Sequence, residues 1–509
     1  ESSLGNATYL AVYALFHIFL GAYFAVRSNN TGEKIFFWVV PFINLVVLFF
    51  TATRGAIVGL GLALITTLVL FILLDGRKKV RIYGGGILLA LLLVGGIFYM
   101  SRDSAFVQGN STLERISNIS LTQTTVRSRF MIWNMAWQGF TERPILGWGP
   151  ENFTYVFSKH YNPAMYDQEP WFDRAHNVFL DWLVNAGILG LFAYLLLFGT
   201  TLYYLFLGSI SFVGSSLWQK VKEFLLKDKE KDLLPILILV GFLVAYFTQN
   251  IFVFDNLTSL VLFFSLLAYI HTKYVERKKE ITIFSSQNTR TLILVAGTLL
   301  SFFLFYNTVY KPYEAGSEVI QALSKPSQNS ISGNLTHFKN ALSYNSLGDA
   351  EIREQLYNFA VLAYQTPQVL AEERKQFIEL ALTEGKKNVE ENPEDTRTAL
   401  SYGLFLYNLG QLQDAEKYVL RAQELSPSKQ TTLFLLGSIY IQEKKYQEAS
   451  EIFDKAYELL PENKEGAFLS AVGKIFIGKK DEAKVLLKKE FGREVYPDER
   501  LLSVYLETK

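Results

Sequence analysis

The 509-residue sequence contains no cysteine. A thiol nucleophile, a disulfide framework and any cysteine-bearing zinc site are thereby excluded. Histidine is scarce. His17, His160, His176, His271 and His337 are scattered without the spacing of a metal site, so neither a metal nor a cofactor is expected. An excess of one charge is missing as well: 49 basic against 48 acidic residues leave a formal net charge of +1, with no footprint for nucleic acid. The first residue is Glu1, not Met, and an apolar segment follows almost at once, so the chain reads as a fragment or processed form lacking upstream spans.

What is present divides in two. Mean hydropathy is +0.18 and half of the residues are apolar, too much for one soluble domain and too little for a chain that lies wholly in a membrane. The long apolar runs fall before Tyr310, while the chain from Lys311 onward is rich in Glu, Lys, Gln and Asn. The expected fold is therefore all-α: a polytopic transmembrane helical bundle over residues 1–310, a linker over 311–332, and a soluble helical domain over 333–509.

A helix needs about 20 apolar residues to cross the hydrocarbon layer. Candidate spans are Tyr9 to Val26, Ile35 to Phe50, Gly55 to Leu74, Ile82 to Met100, Val178 to Leu207, Leu233 to Phe252, Leu257 to Tyr274 and Thr291 to Tyr310. Lys and Arg collect on the cytoplasmic side. Arg77, Lys78, Lys79 and Arg81 follow the third span, five lysines lie between Gly208 and Asp232, and Arg277, Lys278, Lys279 and Arg290 precede the last. With these connectors inside, the turn 51–54, the loop 101–176, the turn 254–256 and everything after Tyr310 fall outside.

The tail repeats with a fixed period. Pro393, Pro427 and Pro461 are 34 residues apart, as are Ala415, Ala449 and Ala483, and Gly403 and Gly437 keep the same offset. Small residues let the two helices of a hairpin approach, and the proline ends the second one. Residues 394–488 resemble the tetratricopeptide family, whose α-solenoid stacks hairpins and presents a groove suited to a protein partner.

The external loop carries the candidate chemistry. It reads Val126-Arg-Ser-Arg-Phe-Met-Ile-Trp133, then Glu142-Arg-Pro-Ile-Leu-Gly-Trp-Gly149, then Asp173-Arg-Ala-His-Asn177, and runs into a span containing Gly187-Ile-Leu-Gly190. Together with the turn Thr51-Ala-Thr-Arg54, this order of motifs resembles the O-antigen ligase/polymerase superfamily over about residues 35–207. The resemblance implies a bacterial inner-membrane glycosyltransferase that moves a glycan from an undecaprenyl-pyrophosphate carrier to a hydroxyl of a lipid, a glycan or a protein, without metal, with its repeat domain extracytoplasmic. It also implies that Arg54 and Arg129 hold the pyrophosphate and that His176 activates the acceptor.

Elementary chemistry fits those residue types. Guanidinium groups stay charged and grip phosphate oxygens in pairs, and an imidazole near neutrality accepts a hydroxyl proton. Arg127, Arg143, Arg174, Asn177, Asp255 and Trp133 are further candidate substrate contacts. Duller roles stay open for each. Arg54 could anchor a span end, Arg129 could be a solvated helix face with Arg127 or Arg143 as the phosphate contact, Arg174 could pair with Asp173, Asp255 could cap a helix, and Trp133 could lie among headgroups. A non-enzymatic membrane anchor displaying a repeat scaffold is the alternative reading of the whole chain.

Overall fold

The computed structural model describes residues 4–75, 77–117, 124–168, 170–207, 233–274, 286–324 and 330–492. Every regular element among them is helical. In order they are α1 (Ala7–Arg27), α2 (Thr31–Thr51), α3 (Arg54–Leu74), α4 (Lys78–Met100), α5 (Ala105–Gln108), α6 (Ser111–Ser117), α7 (Thr124–Glu142), α8 (Phe153–Lys159), α9 (Val178–Leu207), α10 (Leu233–Asn250) and α11 (Leu257–Tyr274). There follow α12 (Gln287–Phe305), α13 (Lys311–Ala322), α14 (Ser332–Ser343), α15 (Asp349–Gln365), α16 (Ala371–Glu391), α17 (Thr396–Asn408), α18 (Leu412–Leu425), α19 (Gln430–Gln442), α20 (Tyr446–Leu459), α21 (Lys464–Phe476) and α22 (Lys480–Phe491).

Among the described residues, seven helices are long and apolar enough to cross a membrane, and an eighth apolar helix, starting at Leu257, is shorter. The lysine-rich connector 208–232 and the basic residues 277–279, both used in the orientation argument, lie outside the described residues, as do 493–509 of the expected repeat domain.

The chain divides into two compact units, residues 1–153 with 172–280, and residues 154–171 with 281–509. In the first, α10 is the central helix. Within its apolar window 78% of residues are buried, against 6% in α4, whose side chains face outward as lipid-facing side chains do. Small residues bring its neighbours close. A Cβ on Gly59 of α3 would meet the Ala245 carbonyl oxygen of α10 at 2.6 Å, and one on Gly21 of α1 would meet the Pro41 ring of α2 at 2.6 Å. Backbone approach of this kind is how helices gain contact in lipid, where burial of apolar surface adds little.

In the second unit α12 continues through a π-helical turn at Tyr306–Tyr310 into α13. The stretch expected to be a linker is thus helical as far as Ala322. Pro312 follows directly on the π-helical turn, and that local widening accommodates a residue that lacks an N–H and crowds the preceding turn. From α13 onward consecutive helices pack in pairs, α13 with α14, α15 with α16, α17 with α18, α19 with α20 and α21 with α22. Gly403 and Gly437 sit where a Cβ would meet Val419 at 2.6 Å and Phe453 at 2.4 Å, which accounts for glycine at that place in each repeat.

Candidate active site

Arg54 opens α3. Ala52 takes a left-handed conformation (φ 49°) to reverse the chain from α2, and Thr53, at the N-cap, makes no side-chain capping bond. Arg54 Nε donates to the Arg115 carbonyl oxygen at 2.7 Å, tying this turn to α6. Arg129 lies on α7. Burial, with the nearby charge of Arg54 adding to it, pulls the Arg129 guanidinium below the usual arginine range.

His176 stands in a strained turn. Its φ is 52°, a left-handed conformation that costs a non-glycine residue on the order of 1–3 kcal/mol. Four neighbours hold it there. Ala175 N donates to Asp181 Oδ1 at 2.7 Å, Val178 N donates to the Val253 carbonyl at 3.1 Å, and the imidazole packs edge-on against Phe172 and Phe254, with ring centres 5.6 and 5.1 Å away. Burial and then the charge of Arg129 lower the His176 pKa, against a smaller opposing effect of Asp173, and so favour the neutral ring.

These groups line one cavity of about 530 Å³. Its wall includes Arg54, Arg115, Arg129, His176, Gln249 and Phe254, together with the N-terminal ends of α1 (Asn6, Ala7, Thr8) and α3 (Thr53, Arg54). Among the described residues, none that lines it is a carboxylate. Three guanidinium groups and two helix N-termini, each the positive end of a backbone dipole, make a strongly anion-seeking site.

One uncharged polar group of the wall stands out. Gln249, near the end of α10, is 1% exposed, and neither its amide nitrogen nor its amide oxygen has a hydrogen-bond partner among the described residues. Leaving both unpaired costs free energy, so the group is suited to a ligand that completes it. Gln249 and Arg115 were not singled out from sequence. The glutamine ends an apolar helix without a motif, and Arg115 lies in a short polar helix before the motif-bearing part of the loop.

The remaining candidates lie elsewhere. Asn177 caps α9, its Oδ1 accepting from Phe179 N at 2.9 Å and Leu180 N at 3.2 Å. Asp255 is buried in a network, accepting from Tyr246, from Tyr194 at 3.1 Å and from Ser259 at 2.9 Å. Burial raises its pKa while those hydrogen bonds oppose the rise. It steadies the 252–256 turn, which brings Phe254 to His176. Arg174 pairs with Glu151, not with Asp173. Arg143 stacks over Trp148 at 4.0 Å, Arg127 is exposed on α7, and Trp133 packs against Phe130; none of these three lines the cavity.

The Pro-x-x-Gly-x-Gly turn has a structural role. Trp148 N and Gly149 N donate to the carbonyls of Val184 and Asn185 at 2.7 and 2.9 Å, and Ile188 N donates to that of Pro144 at 2.8 Å. The turn docks where Gly187 interrupts α9 with a φ of 64°.

Residues 39–195 match the family model for O-antigen ligase, and residues 431–463 match that for the tetratricopeptide repeat. The chain therefore carries an O-antigen ligase domain and a tetratricopeptide domain, and its apolar helices make it a membrane protein. The ligase match includes Arg54, Arg115, Arg129 and His176 and stops short of Gln249. No curated protein matches the chain. Among solved structures, the crystal structure of yeast Tom70 matches at 14% identity over 97% of this chain and 96% of that one, with a TM-score of 0.28, too slight a likeness to bear on fold or function.

Proposed function

We propose that this protein transfers a glycan from an undecaprenyl-pyrophosphate carrier to an acceptor hydroxyl at the outer face of a bacterial plasma membrane. The observation that carries this reading is the gathering of Arg54, Arg115, Arg129 and His176 around one cavity that, among the described residues, no carboxylate lines. A pyrophosphate seated there meets fixed positive charge on several sides, and that charge stabilises the carrier as it leaves. His176 takes the proton of the acceptor hydroxyl. The acceptor oxygen forms its bond to the anomeric carbon as the bond from that carbon to the phosphate oxygen breaks, and undecaprenyl pyrophosphate departs.

The acceptor is a lipid, a glycan or a protein. The test is incubation of the purified protein with a synthetic undecaprenyl-pyrophosphate oligosaccharide and each acceptor class in turn, following release of the free carrier. Arg129→Ala and His176→Ala should abolish release while the protein stays in the membrane at its normal level. Full release by both variants would refute the assignment.

A further inference from the structure

The middle tetratricopeptide unit departs from its neighbours at one position. Asp395, Lys429 and Asn463 are spaced by 34 residues, and each directly precedes the first helix of its hairpin, α17, α19 and α21. Asp395 Oδ1 accepts from Arg397 N at 2.9 Å, and Asn463 Oδ1 accepts from Glu465 N at 2.8 Å, so both cap their helices. An ammonium group has no lone pair with which to do this, and Lys429 leaves α19 without a side-chain cap. It also sets a positive charge at the positive end of the helix dipole. Yet Lys429 is only 2% exposed. A local rule broken on a buried residue calls for a partner that offsets it.

That partner is the loop segment 154–171, which belongs to the same compact unit as the solenoid. Lys429 Nζ donates to the Pro170 carbonyl at 2.6 Å and lies 4.0 Å from the ring centre of Trp171 and 4.4 Å from that of Tyr161. Burial pushes the ammonium down to about 8, so it still carries charge at neutral pH and attracts the faces of those rings. One residue on, Gln430 Nε2 donates to the Pro163 carbonyl at 3.1 Å. In the next repeat Glu465 accepts the Tyr166 hydroxyl, and the Tyr166 ring packs against Phe434 with centres 5.9 Å apart. Two successive repeats thus grip one segment through a cation, an amide, a carboxylate and an aromatic surface.

We propose that the ligand of this solenoid is the chain's own segment 154–171, held in cis through Lys429, and that the repeat domain serves as a clamp on the catalytic loop. The segment ends at Trp171, five residues before His176, so the clamp limits the freedom of the strand of chain that carries the imidazole. An outside peptide binds this surface only by displacing the loop. The consequence for catalysis, unlike the clamp itself, rests on the function proposed above.

The absence of cysteine from this sequence gives a clean test in the intact chain in its membrane. Tyr166→Cys with Glu465→Cys places thiols on two side chains that touch, and a short bis-maleimide should join them in high yield. Tyr457→Cys with Glu490→Cys, whose native side chains are hydrogen-bonded at 2.7 Å within the solenoid, is the reference pair. Lys429→Asn should restore a helix cap like that of Asn463. It should therefore leave the reference cross-link and the solenoid's unfolding midpoint undiminished, while cutting the loop cross-link at least severalfold. A synthetic peptide of residues 154–171 in excess should do the same to the unsubstituted Lys429 background. Failure of the loop pair to join while the reference pair does, or a loop cross-link indifferent to Lys429→Asn, overturns the clamp. Cross-linking needs no turnover, so a clamped protein that transfers no glycan counts against the proposed reaction and not against the clamp.

Discussion

Asp181 Oδ1 accepts the backbone N–H of Ala175 at 2.7 Å, and this bond fixes the chain immediately before His176. Asp181 lies in the first turn of α9, buried, so a rigid helix sets the direction of a strained turn. In the proposed reaction Asp181 would be a positioning residue, since it touches the backbone next to the imidazole and does not line the cavity. Asp181→Ala should lower kcat about tenfold or more, with KM for the donor little changed, because small misplacement of a base costs rate before it costs binding. Asp181→Asn keeps an acceptor oxygen and should restore most of the rate. Steady-state kinetics on both variants decides this, and an equal loss in the two would remove the role assigned to that bond.

His176 must be neutral to accept a proton, and its surroundings lower its pKa from the ordinary 6.5. The acid limb of the pH–rate profile should therefore lie below pH 6.5, with activity level through neutrality. His176→Asn should be inactive yet as well folded as the parent, since asparagine also tolerates the left-handed backbone that His176 adopts. The profile and a thermal melt of this variant check the two statements separately.

Arg115 and Gln249 are expected to contact the donor. Arg115→Ala should raise KM for the pyrophosphate substrate at least tenfold, as loss of a hydrogen bond to a charged group costs about 1.5–3 kcal/mol. Arg127→Ala, on an exposed side chain outside the cavity wall, should change it little. Gln249→Leu removes two buried groups that lack partners, so it should melt no lower than the parent while losing transfer. Donor titrations of the three variants separate the cavity wall from its surroundings.

Gly187 and the Pro144–Gly149 turn fit each other without room for a side chain. A Cβ on Gly187 would lie 2.2 Å from the Ile145 carbonyl oxygen, and one on Gly147 would lie 2.4 Å from that of Val184. Both glycines also have positive φ. Gly187→Ala should destabilise the membrane unit by on the order of 3 kcal/mol, combining backbone strain with overpacking. Thermal unfolding in detergent measures this, and a stability equal to the parent would show that the turn is not docked there.

The helical bundle was legible in the sequence because lipid imposes a one-dimensional requirement, a run of apolar residues long enough to cross it, and the repeats because stacking demands small residues at a constant interval. The motifs around Arg54, Arg129 and His176 were legible as a family pattern. That these three share a cavity with Arg115 and Gln249, that Asn177 is occupied in capping α9 and Asp255 in a buried network, and that Lys429 forgoes a helix cap to hold Pro170, were all decided by tertiary structure. Periodicity records which face of its own element a residue occupies. Partners far apart along the chain meet through packing, which leaves no interval to read.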